Sequence, residues 1–431
     1  MKLETVKSVI LAILIGISLL LTLGLWSYQP NYESLSDMSY AEADIGGKDN
    51  LQKRDLVQPT SLIFHQYDQV YGFTDPKQGE SLYQDMQDWM MGKLAEKPAN
   101  GPPKVNNQIE LIFPDRLPME LADSLFTFAD DTDFPDWSFQ RMFITFNQDS
   151  TLEIEFLLVN GDKRAISIIN NPEKYEQLWG YMTTQNGLRE YTTFNKNGPP
   201  IYIPKHSPKM KQRNVTMQRI DSSQLVDVLF SSPETVRRNT TKAGDVYYTD
   251  GFRGMRVKGN GNSIEYFNPL KDEYGQMNPI DLLEASQTNI NEQKGWTGNF
   301  SLDTLDKSNN TIRYRMYYTG YPVFDHNLSI IEQEWHNQDL YKYERPIVSL
   351  NAPPGESTVE LESADEVISY IENTSKYNAE DVEDIKLGYH LEADDLDTSP
   401  YRTMTPAWFM KYNGNWLKLD LADTDLDKGG S

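Results

Sequence analysis

The sequence predicts an α+β protein with antiparallel sheets, in which one N-terminal transmembrane helix precedes three extracytoplasmic α+β domains. Residues 9–26 carry no ionisable side chain, which indicates a membrane-spanning helix. Farther along, alternating apolar and polar side chains predict strands, and apolar side chains every three or four residues predict helices. Strands and helices do not alternate regularly, and this irregular order favours antiparallel sheets.

The first predicted element is the apolar helix 9–26. Its 18 residues span roughly 27 Å at about 1.5 Å per residue, close to the thickness of a bilayer core. A cleaved signal peptide also has a charged start and an apolar run, but this run is longer and no small-x-small cleavage site follows it promptly. We therefore expect an uncleaved anchor, with Lys7, Trp26 and Tyr28 at the membrane interfaces.

The charges around this helix predict its orientation. Lys2 and Lys7 precede the helix, whereas Glu33 and Asp37 follow it. By the positive-inside rule the N-terminus is cytoplasmic and residues 27–431 are extracytoplasmic. The expected location is therefore the cell membrane, which the chain crosses once.

The predicted helix also carries small side chains at four-residue spacing, namely Ser8, Ala12 and Gly16. In lipid, such a ridge lets the backbone of another helix approach closely, so we predict packing against a partner helix at these three positions. Similar ridges occur by chance in apolar helices, and the pattern alone leaves that alternative open.

The composition excludes several classes of function. The formal net charge is −24, and a surface this acidic repels nucleic acids, so no nucleic-acid partner is expected. The chain has no cysteine, which excludes disulfides, a thiol nucleophile and cysteine-ligated zinc. A cysteine-free extracytoplasmic protein fits a Gram-positive bacterium better than a eukaryotic secretory pathway.

Shifts in composition divide the chain into expected segments. They are a cytoplasmic N-terminus (1–8), the transmembrane helix (9–26), a stalk (27–54), a first extracytoplasmic domain (55–207), a second domain (213–285), a third domain (290–422) and an acidic tail (423–431). Ordered structure is expected to begin near Pro59, after the polar stalk. Residues 205–214 are basic and contain a proline, which is typical of a linker.

The first domain has three clear local patterns. The apolar face of its first predicted helix consists of Leu82, Met86, Trp89 and Met90. Residues 152–158 alternate between apolar side chains and glutamates, which predicts a strand. Asn171 and Pro172 form a typical helix start.

The later domains continue this mixture. Asp221 and Gln224 have the spacing of a capping box before a short helix, and Asn278 with Pro279 begins another. In the third domain, Ser363 and Glu366 again have capping-box spacing. Strands are predicted at residues 245–249, 254–258, 263–267, 312–318, 407–412 and 415–419.

The sequence contains no motif for catalysis, cofactor binding or metal binding. It lacks Gly-x-Ser-x-Gly, His-Glu-x-x-His and a phosphate-binding glycine loop. The histidines are scattered at His65, His206, His326, His336 and His390. Residues 423–428 begin like a calcium-binding loop but lack its glycine, and the acidic run 130–136 reads as a solvated loop. We predict no catalytic residue, no cofactor and no metal.

Short segments along most of the chain resemble the YycH family of Gram-positive bacteria. They are residues 4–8, 25–32, 59–65, 229–237, 248–251, 266–269, 290–297, 320–324, 343–346 and 406–408. No single segment is specific, but their order together with the anchor is. Gln293 and Lys294 depart from the family pattern, in which histidine and glycine are expected.

This resemblance implies a membrane-anchored, non-enzymatic regulator of a sensor histidine kinase. The family's kinase is WalK, also called YycG, so a WalK-like kinase and a YycI-like accessory protein are the implied partners. The resemblance also implies that the later domains are similar in fold to YycI. Two alternatives remain: an extracytoplasmic wall- or ligand-binding module, and an anchored cell-wall enzyme, which the residues support less.

Overall fold

A computed structural model describes residues 7, 11, 13–20, 22, 33–34, 44–194, 198–241, 245–258, 261–269, 275–353, 355–393 and 401–421. At the N-terminus, residues 7, 11, 13–20 and 22 are helical. Within the described residues, no helix is both long and apolar enough to cross a membrane. The predicted transmembrane helix 9–26 lies partly outside these residues and stays a prediction.

The described residues form strands throughout most of the chain. The first are β1 (Glu33–Ser34), β2 (Ser61–Gln66), β3 (Gln69–Phe73), β4 (Met90–Met91), β5 (Ala95–Pro98), β6 (Asn107–Pro118), β7 (Thr127–Phe128), β8 (Ser138–Phe146), β9 (Leu152–Leu158), β10 (Lys163–Ile169), β11 (Leu188–Phe194), β12 (Ile201–Pro204) and β13 (Lys209–Arg219). The others are β14 (Arg237–Thr240), β15 (Val246–Thr249), β16 (Gly254–Lys258), β17 (Ser263–Phe267), β18 (Asn299–Asp306), β19 (Thr311–Tyr318), β20 (Tyr321–Pro322), β21 (Ile330–His336), β22 (Asp339–Pro346), β23 (Val348–Asn351), β24 (Glu356–Glu360), β25 (Val382–Ala393), β26 (Tyr401–Tyr412) and β27 (Asn415–Lys418).

Most of the α-helices begin at a residue whose side chain caps the first turn. They are α1 (Lys53–Leu56), α2 (Pro76–Gln87), α3 (Ala122–Leu125), α4 (Pro172–Thr184), α5 (Val226–Leu229), α6 (Pro279–Glu292), α7 (His326–Ser329) and α8 (Ala364–Asn373). Asn171 and Asn278 accept hydrogen bonds from the first turns of α4 and α6. The amide and hydroxyl of Ser363 donate to the Glu366 carboxylate at 2.7 and 2.8 Å. These three predicted helix starts are confirmed.

Most strands lie in three large sheets, and antiparallel pairing dominates. One sheet has the order β12-β11-β3-β2-β6-β8-β9-β10-β5, and a second has the order β1-β14-β15-β16-β17-β22-β21-β19-β18, with β20 beside β19. The third has the order β23-β13-β26-β25, with β24 beside β13 and β27 beside β26. Only β4 and β7 pair in parallel among the described strands. The predicted mixture of helices with antiparallel sheets is confirmed.

Local sequence patterns account for the strands and their buried faces. Residues 254–258 and 263–267 form β16 and β17 with the predicted bounds. In β9, the alternation places Leu152, Ile154 and Phe156 in the core with no exposed surface. Met90 departs from its predicted buried face, because α2 ends at Gln87 and Met90 is 60% exposed in β4.

The sheets also join segments that are distant in sequence. Tyr266 of β17 pairs with Tyr343 of β22, so residues 237–267 and 299–346 contribute to one sheet. The strand β13 likewise pairs with β26 near the end of the chain. The limits of the three domains given above remain predictions.

Residues 44–48, which we call the strap, lie against the segment that follows α6. Amides of the strap donate to carbonyl groups in three hydrogen bonds: Ile45 to Gln293 at 3.3 Å, Gly47 to Lys294 at 2.9 Å and Lys48 to Trp296 at 3.1 Å. Ile45 is only 3% exposed. The expectation that ordered structure begins near Pro59 is therefore wrong. Backbone hydrogen bonds hold the strap in place, and such bonds do not require a periodic pattern of apolar side chains. The sequence of the strap, in which Ile45 is the large apolar residue, therefore did not predict an ordered segment.

Candidate functional site

The three large sheets meet around a central cleft that contains two adjoining cavities. Their volumes are about 300 and 820 Å³. Both cavities are lined by Thr60, Ser61, Tyr202, Tyr317, Pro322, Ile385 and Lys386. Small ligands commonly bind in concave spaces between packed units that are lined by apolar side chains and a few polar groups, so this cleft is the candidate site.

A bulge in β6 brings the first sheet to the cleft. The pairing of β6 with β8 shifts register between Ile112 and Leu117. Within this interval, the Asp115 carboxylate accepts a hydrogen bond from the Leu305 amide of β18 at 2.8 Å. Because bulges redirect the side chains of a strand, this one explains how the first sheet contacts the second.

Most of the charged side chains that line the larger cavity are already in ion pairs. Arg315 donates to both oxygens of Asp303 at 3.0 and 2.9 Å, and its guanidinium lies 4.8 Å from the ring centre of Phe324. Burial raises the pKa of Asp303, but the charge and hydrogen bonds of Arg315 outweigh it and hold the pKa below its ordinary value. Lys386 similarly lies 2.7 Å from Asp384. These pairs make the wall polar without giving it a strong net charge.

A buried carboxylate supports the wall of this cavity. Glu110 of β6 is 1% exposed and accepts hydrogen bonds from Arg141 at 2.5 Å and Tyr202 at 2.8 Å. Its other close neighbour is His65, whose Nε2 lies 2.9 Å away. Burial raises the pKa of Glu110, but the hydrogen bond from His65 and the charge of Arg141 outweigh it and lower the pKa. The four side chains hold β2, β6, β8 and β12 in register beside the cleft.

The smaller cavity has a different chemistry, because one of its cations is unpaired. Arg189 of β11 is half-buried and forms no salt bridge with a described residue, and its Nε lacks a hydrogen-bond partner. Burial lowers the pKa of Arg189, but the neighbouring Tyr191 and Tyr321 phenol groups outweigh it and raise the pKa. The cavity is also lined by Glu80 of α2, whose carboxyl pKa is raised by burial. Here a guanidinium, phenol groups and a desolvated carboxyl group surround one space.

The residues predicted to pack or anchor the transmembrane helix are mostly outside the described residues. Ser8, Ala12, Trp26 and Tyr28 are among those not described. Lys7 and Gly16 are helical and exposed, and a Cβ added at Gly16 meets nothing within 4 Å. Their predicted roles in helix packing and interface anchoring stay predictions.

The described histidines and acidic residues do not converge on a metal site. Among the described residues, no group of three or more histidine, aspartate or glutamate side chains is placed to hold a metal ion. The histidines are dispersed: His65 contacts Glu110, His206 contacts Glu190, His326 contacts Glu344 and His336 contacts Glu334. The acidic residues Asp423, Asp425 and Asp427 lie outside the described part of the chain.

Sequence reasoning did not identify the cleft residues. Arg189 and Tyr321 belong to different sheets, and only the packing of those sheets brings them together. A weak signal is present in the tyrosines that flank them, Tyr191 and Tyr318, since tyrosine combines an apolar ring with a polar hydroxyl. This signal is shared by many interior strands and does not specify a site.

Comparisons with known proteins agree along nearly the whole chain. Residues 4–186 match the family described as YycH protein, N-terminal domain, and residues 199–425 match YycH protein, C-terminal domain. A relative of Bacillus subtilis (strain 168), named two-component system WalR/WalK regulatory protein YycH, is 21% identical over 444 residues, which cover 97% of each chain. The crystal structure of YycH from Bacillus subtilis is similar with a TM-score of 0.73 and 18% identity, over 88% of this chain and 99% of that one.

Proposed function

The chain belongs to the YycH family, and from this premise we propose that it regulates a two-component system by acting on a WalK-like sensor histidine kinase. The observation that carries the proposal is the match over 97% of both chains to a relative named as a WalR/WalK regulatory protein. The role is regulatory and not enzymatic. Most charged side chains of the larger cavity are held in ion pairs, among them Arg315 with Asp303 and Lys386 with Asp384, which is typical of a structural wall.

The proposed setting is the cell membrane, with a cytoplasmic N-terminus and an extracytoplasmic body. The lysine asymmetry around residues 9–26 supports this orientation. The apolar side chains of the N-terminal helical residues support the membrane setting, because Leu11, Leu14 and Leu20 are 59%, 58% and 71% exposed. Apolar surface of this extent requires contact with lipid or with other helices.

The proposed mechanism is a shift in the populations of two kinase states. An accessory helix that packs better against one state stabilises that state by the difference between its two binding free energies. In this proposal the anchor contacts the kinase and a YycI-like accessory protein through the ridge at Ser8, Ala12 and Gly16. The strap supports a role for the body, because it holds part of the predicted stalk against the segment that follows α6.

Deletion of the gene tests the proposed function. A transcriptional reporter for a promoter controlled by the cognate response regulator should change its activity in the deletion strain. Expression of the full-length chain should restore the original value, whereas expression without residues 1–26 should not. An unchanged reporter in the deletion strain, at normal kinase abundance, would contradict a regulatory role.

A reporter fusion tests the proposed location. Alkaline phosphatase, which is active only outside the cytoplasm, should be active when fused after Tyr32. The same enzyme fused to the N-terminus should be inactive. An inactive fusion after Tyr32, or a mature N-terminus beyond Trp26, would contradict the single-pass orientation.

A further inference from the structure

The unpaired Arg189 in the smaller cavity is the starting point of a further inference. Three other arginines that line the cleft and are at least partly buried have carboxylate partners: Arg141 has Glu110, Arg313 has Glu332 and Arg315 has Asp303. Arg189 has no such partner among the described residues although it is half-buried. A guanidinium that is partly shielded from water and has no counter-ion destabilises the folded chain, and a ligand with the opposite charge would offset that cost.

The neighbours of Arg189 define the charge and shape of that ligand. The Arg189 guanidinium lies 5.7 Å from the ring centre of Tyr191, and Tyr191 and Tyr321 line the same cavity. A guanidinium with free donors binds a carboxylate through two parallel hydrogen bonds, and nearby hydroxyl groups can donate to the same oxygens. The cavity of about 300 Å³ accommodates a ligand of a few residues or a small organic acid.

The Glu80 side chain adds a second requirement. It also lines the cavity, and its carboxyl pKa is raised by burial. The turn at Gly320 lies beside it, where an added Cβ would be 3.4 Å from Glu80 Oε1. A carboxyl group in this position favours a ligand that offers N–H donors or an ammonium group.

We propose that the smaller cavity binds a short peptide through its free C-terminal carboxylate, which pairs with Arg189 beside the Tyr191 and Tyr321 hydroxyl groups, while Glu80 accepts N–H groups of the peptide. This inference goes beyond the proposed regulatory function. Binding requires neither the kinase nor the membrane helix, so it can succeed or fail independently of regulation. The site adds a way for an extracytoplasmic ligand to hold the first and second sheets in one arrangement.

Calorimetric titration of the full-length chain in detergent micelles tests the proposal. The probes are trialanine, trialanine with a C-terminal amide, N-acetyl-trialanine and acetate. Trialanine should bind, and its C-terminal amide should bind at least tenfold more weakly because the charge-assisted hydrogen bonds to Arg189 are lost. N-acetylation should have a smaller effect. Acetate should bind more weakly than trialanine and compete with it.

Matched variants identify the site. Arg189→Gln should remove the preference for the free carboxylate over the amide. Arg219→Gln should retain that preference, because Arg219 is exposed and lines neither cavity. Glu80→Gln should weaken the binding of trialanine more than the binding of N-acetyl-trialanine.

Thermal unfolding without ligand separates a binding role from a structural one. Arg189→Gln should leave the unfolding midpoint unchanged or raise it, since it removes an uncompensated charge. Arg315→Gln should lower the midpoint, because it breaks the buried pair with Asp303.

Several results would overturn the proposal. They are no binding of trialanine up to about 10 mM, equal binding of the free and amidated peptides, unchanged binding by Arg189→Gln, and a fall in the midpoint of Arg189→Gln comparable to that of Arg315→Gln. Acetate binding as tightly as trialanine would also overturn it, because the site would then recognise small carboxylates without a peptide.

Discussion

The carboxylate of Asp115 accepts a hydrogen bond from the backbone amide of Leu305 at 2.8 Å, across 190 residues of sequence. Leu305 is 7% exposed, so its amide has little access to water. A buried amide requires a partner, and here the partner belongs to a different sheet. The contact therefore fixes β6 and the first sheet against β18 at the rim of the central cleft.

Replacing Asp115 tests how much this contact stabilises the assembly of the sheets. Asp115→Ala should lower the free energy of unfolding by about 1–3 kcal/mol, because the Leu305 amide is left without a partner. The measurement is urea unfolding followed by circular dichroism and by tryptophan fluorescence. Asp123→Ala, at an exposed position on α3, should change stability by less than about 0.5 kcal/mol. Equal stability of the two variants would show that the contact is incidental.

The pair between Arg315 and Asp303 should be much more sensitive to substitution. Asp303→Asn leaves the nearly buried Arg315 without a counter-ion and should cost about 3–5 kcal/mol. Asp245→Asn removes the partner of the exposed Arg256 and should cost less than about 1 kcal/mol. Denaturant unfolding of both variants measures the difference. Similar values for the two would contradict the assignment of the first pair as buried and tightly coupled.

The pH dependence of stability follows from the same carboxylate. The pKa of Asp303 is lowered in the folded chain, so the folded state binds its proton less readily than the unfolded state. Its contribution is therefore present above the unfolded pKa of about 3.9 and is lost as the pH falls through the lower, folded pKa. Unfolding measured between pH 7 and pH 3 should show stability falling with acidification. In Asp303→Asn the free energy of unfolding should fall less steeply with acidification than in the unchanged chain. An identical slope in the two proteins would contradict the contribution of Asp303 to this pH dependence.

The strap depends on the absence of a side chain at Gly47. A Cβ there would lie 2.5 Å from the Trp296 carbonyl carbon and 2.6 Å from the Lys294 carbonyl oxygen. Both neighbours are backbone atoms that cannot rotate away, so Gly47→Ala should displace the strap. Hydrogen exchange at the amides of Ile45, Gly47 and Lys48 should then accelerate at least tenfold, with little change in the rest of the body.

Gly180 provides the matched control for this substitution. It lies within α4, and a Cβ added there meets nothing within 4 Å. Gly180→Ala should leave exchange in the strap unchanged and should stabilise α4 by up to about 1 kcal/mol. If Gly47→Ala also leaves exchange in the strap unchanged, the close approach to Trp296 does not hold it.

Features that depend only on residues close together in the sequence were predictable from it. The capping box of Ser363 and Glu366 needs only a three-residue spacing, and the strands at 254–258 and 263–267 need only their own side-chain pattern and turn residues. The strap and the cleft were not predictable in this way. Gly47 meets Trp296 through backbone atoms, and Arg189 meets Tyr321 through the packing of two sheets, so neither contact leaves a periodic signal.

The last prediction concerns the ridge at Ser8, Ala12 and Gly16, which the structure leaves untested. Positions four residues apart drift by only about 40° per step on a helix of 3.6 residues per turn. On the predicted helix the three small side chains would therefore form one shallow groove along a single face. Leucine at Ala12 and Gly16 fills that groove and separates the backbones of the two helices. The length of the apolar run is unchanged, so membrane insertion should be normal.

A bacterial two-hybrid assay between the full-length chain and the kinase or the YycI-like protein measures the effect. Contacts between helices in membranes contribute on the order of 1 kcal/mol each, so the double variant should weaken association about tenfold or more. Ser18→Leu is the control, because residue 18 lies on a different face from Gly16 and its substitution also adds apolar volume. Normal insertion together with unchanged association and reporter activity in the double variant would mean that the helix acts only as an anchor. Recognition of the proposed kinase partner would then depend on the rest of the chain, and the Asp115 and Gly47 variants would be the next to test in the same assay.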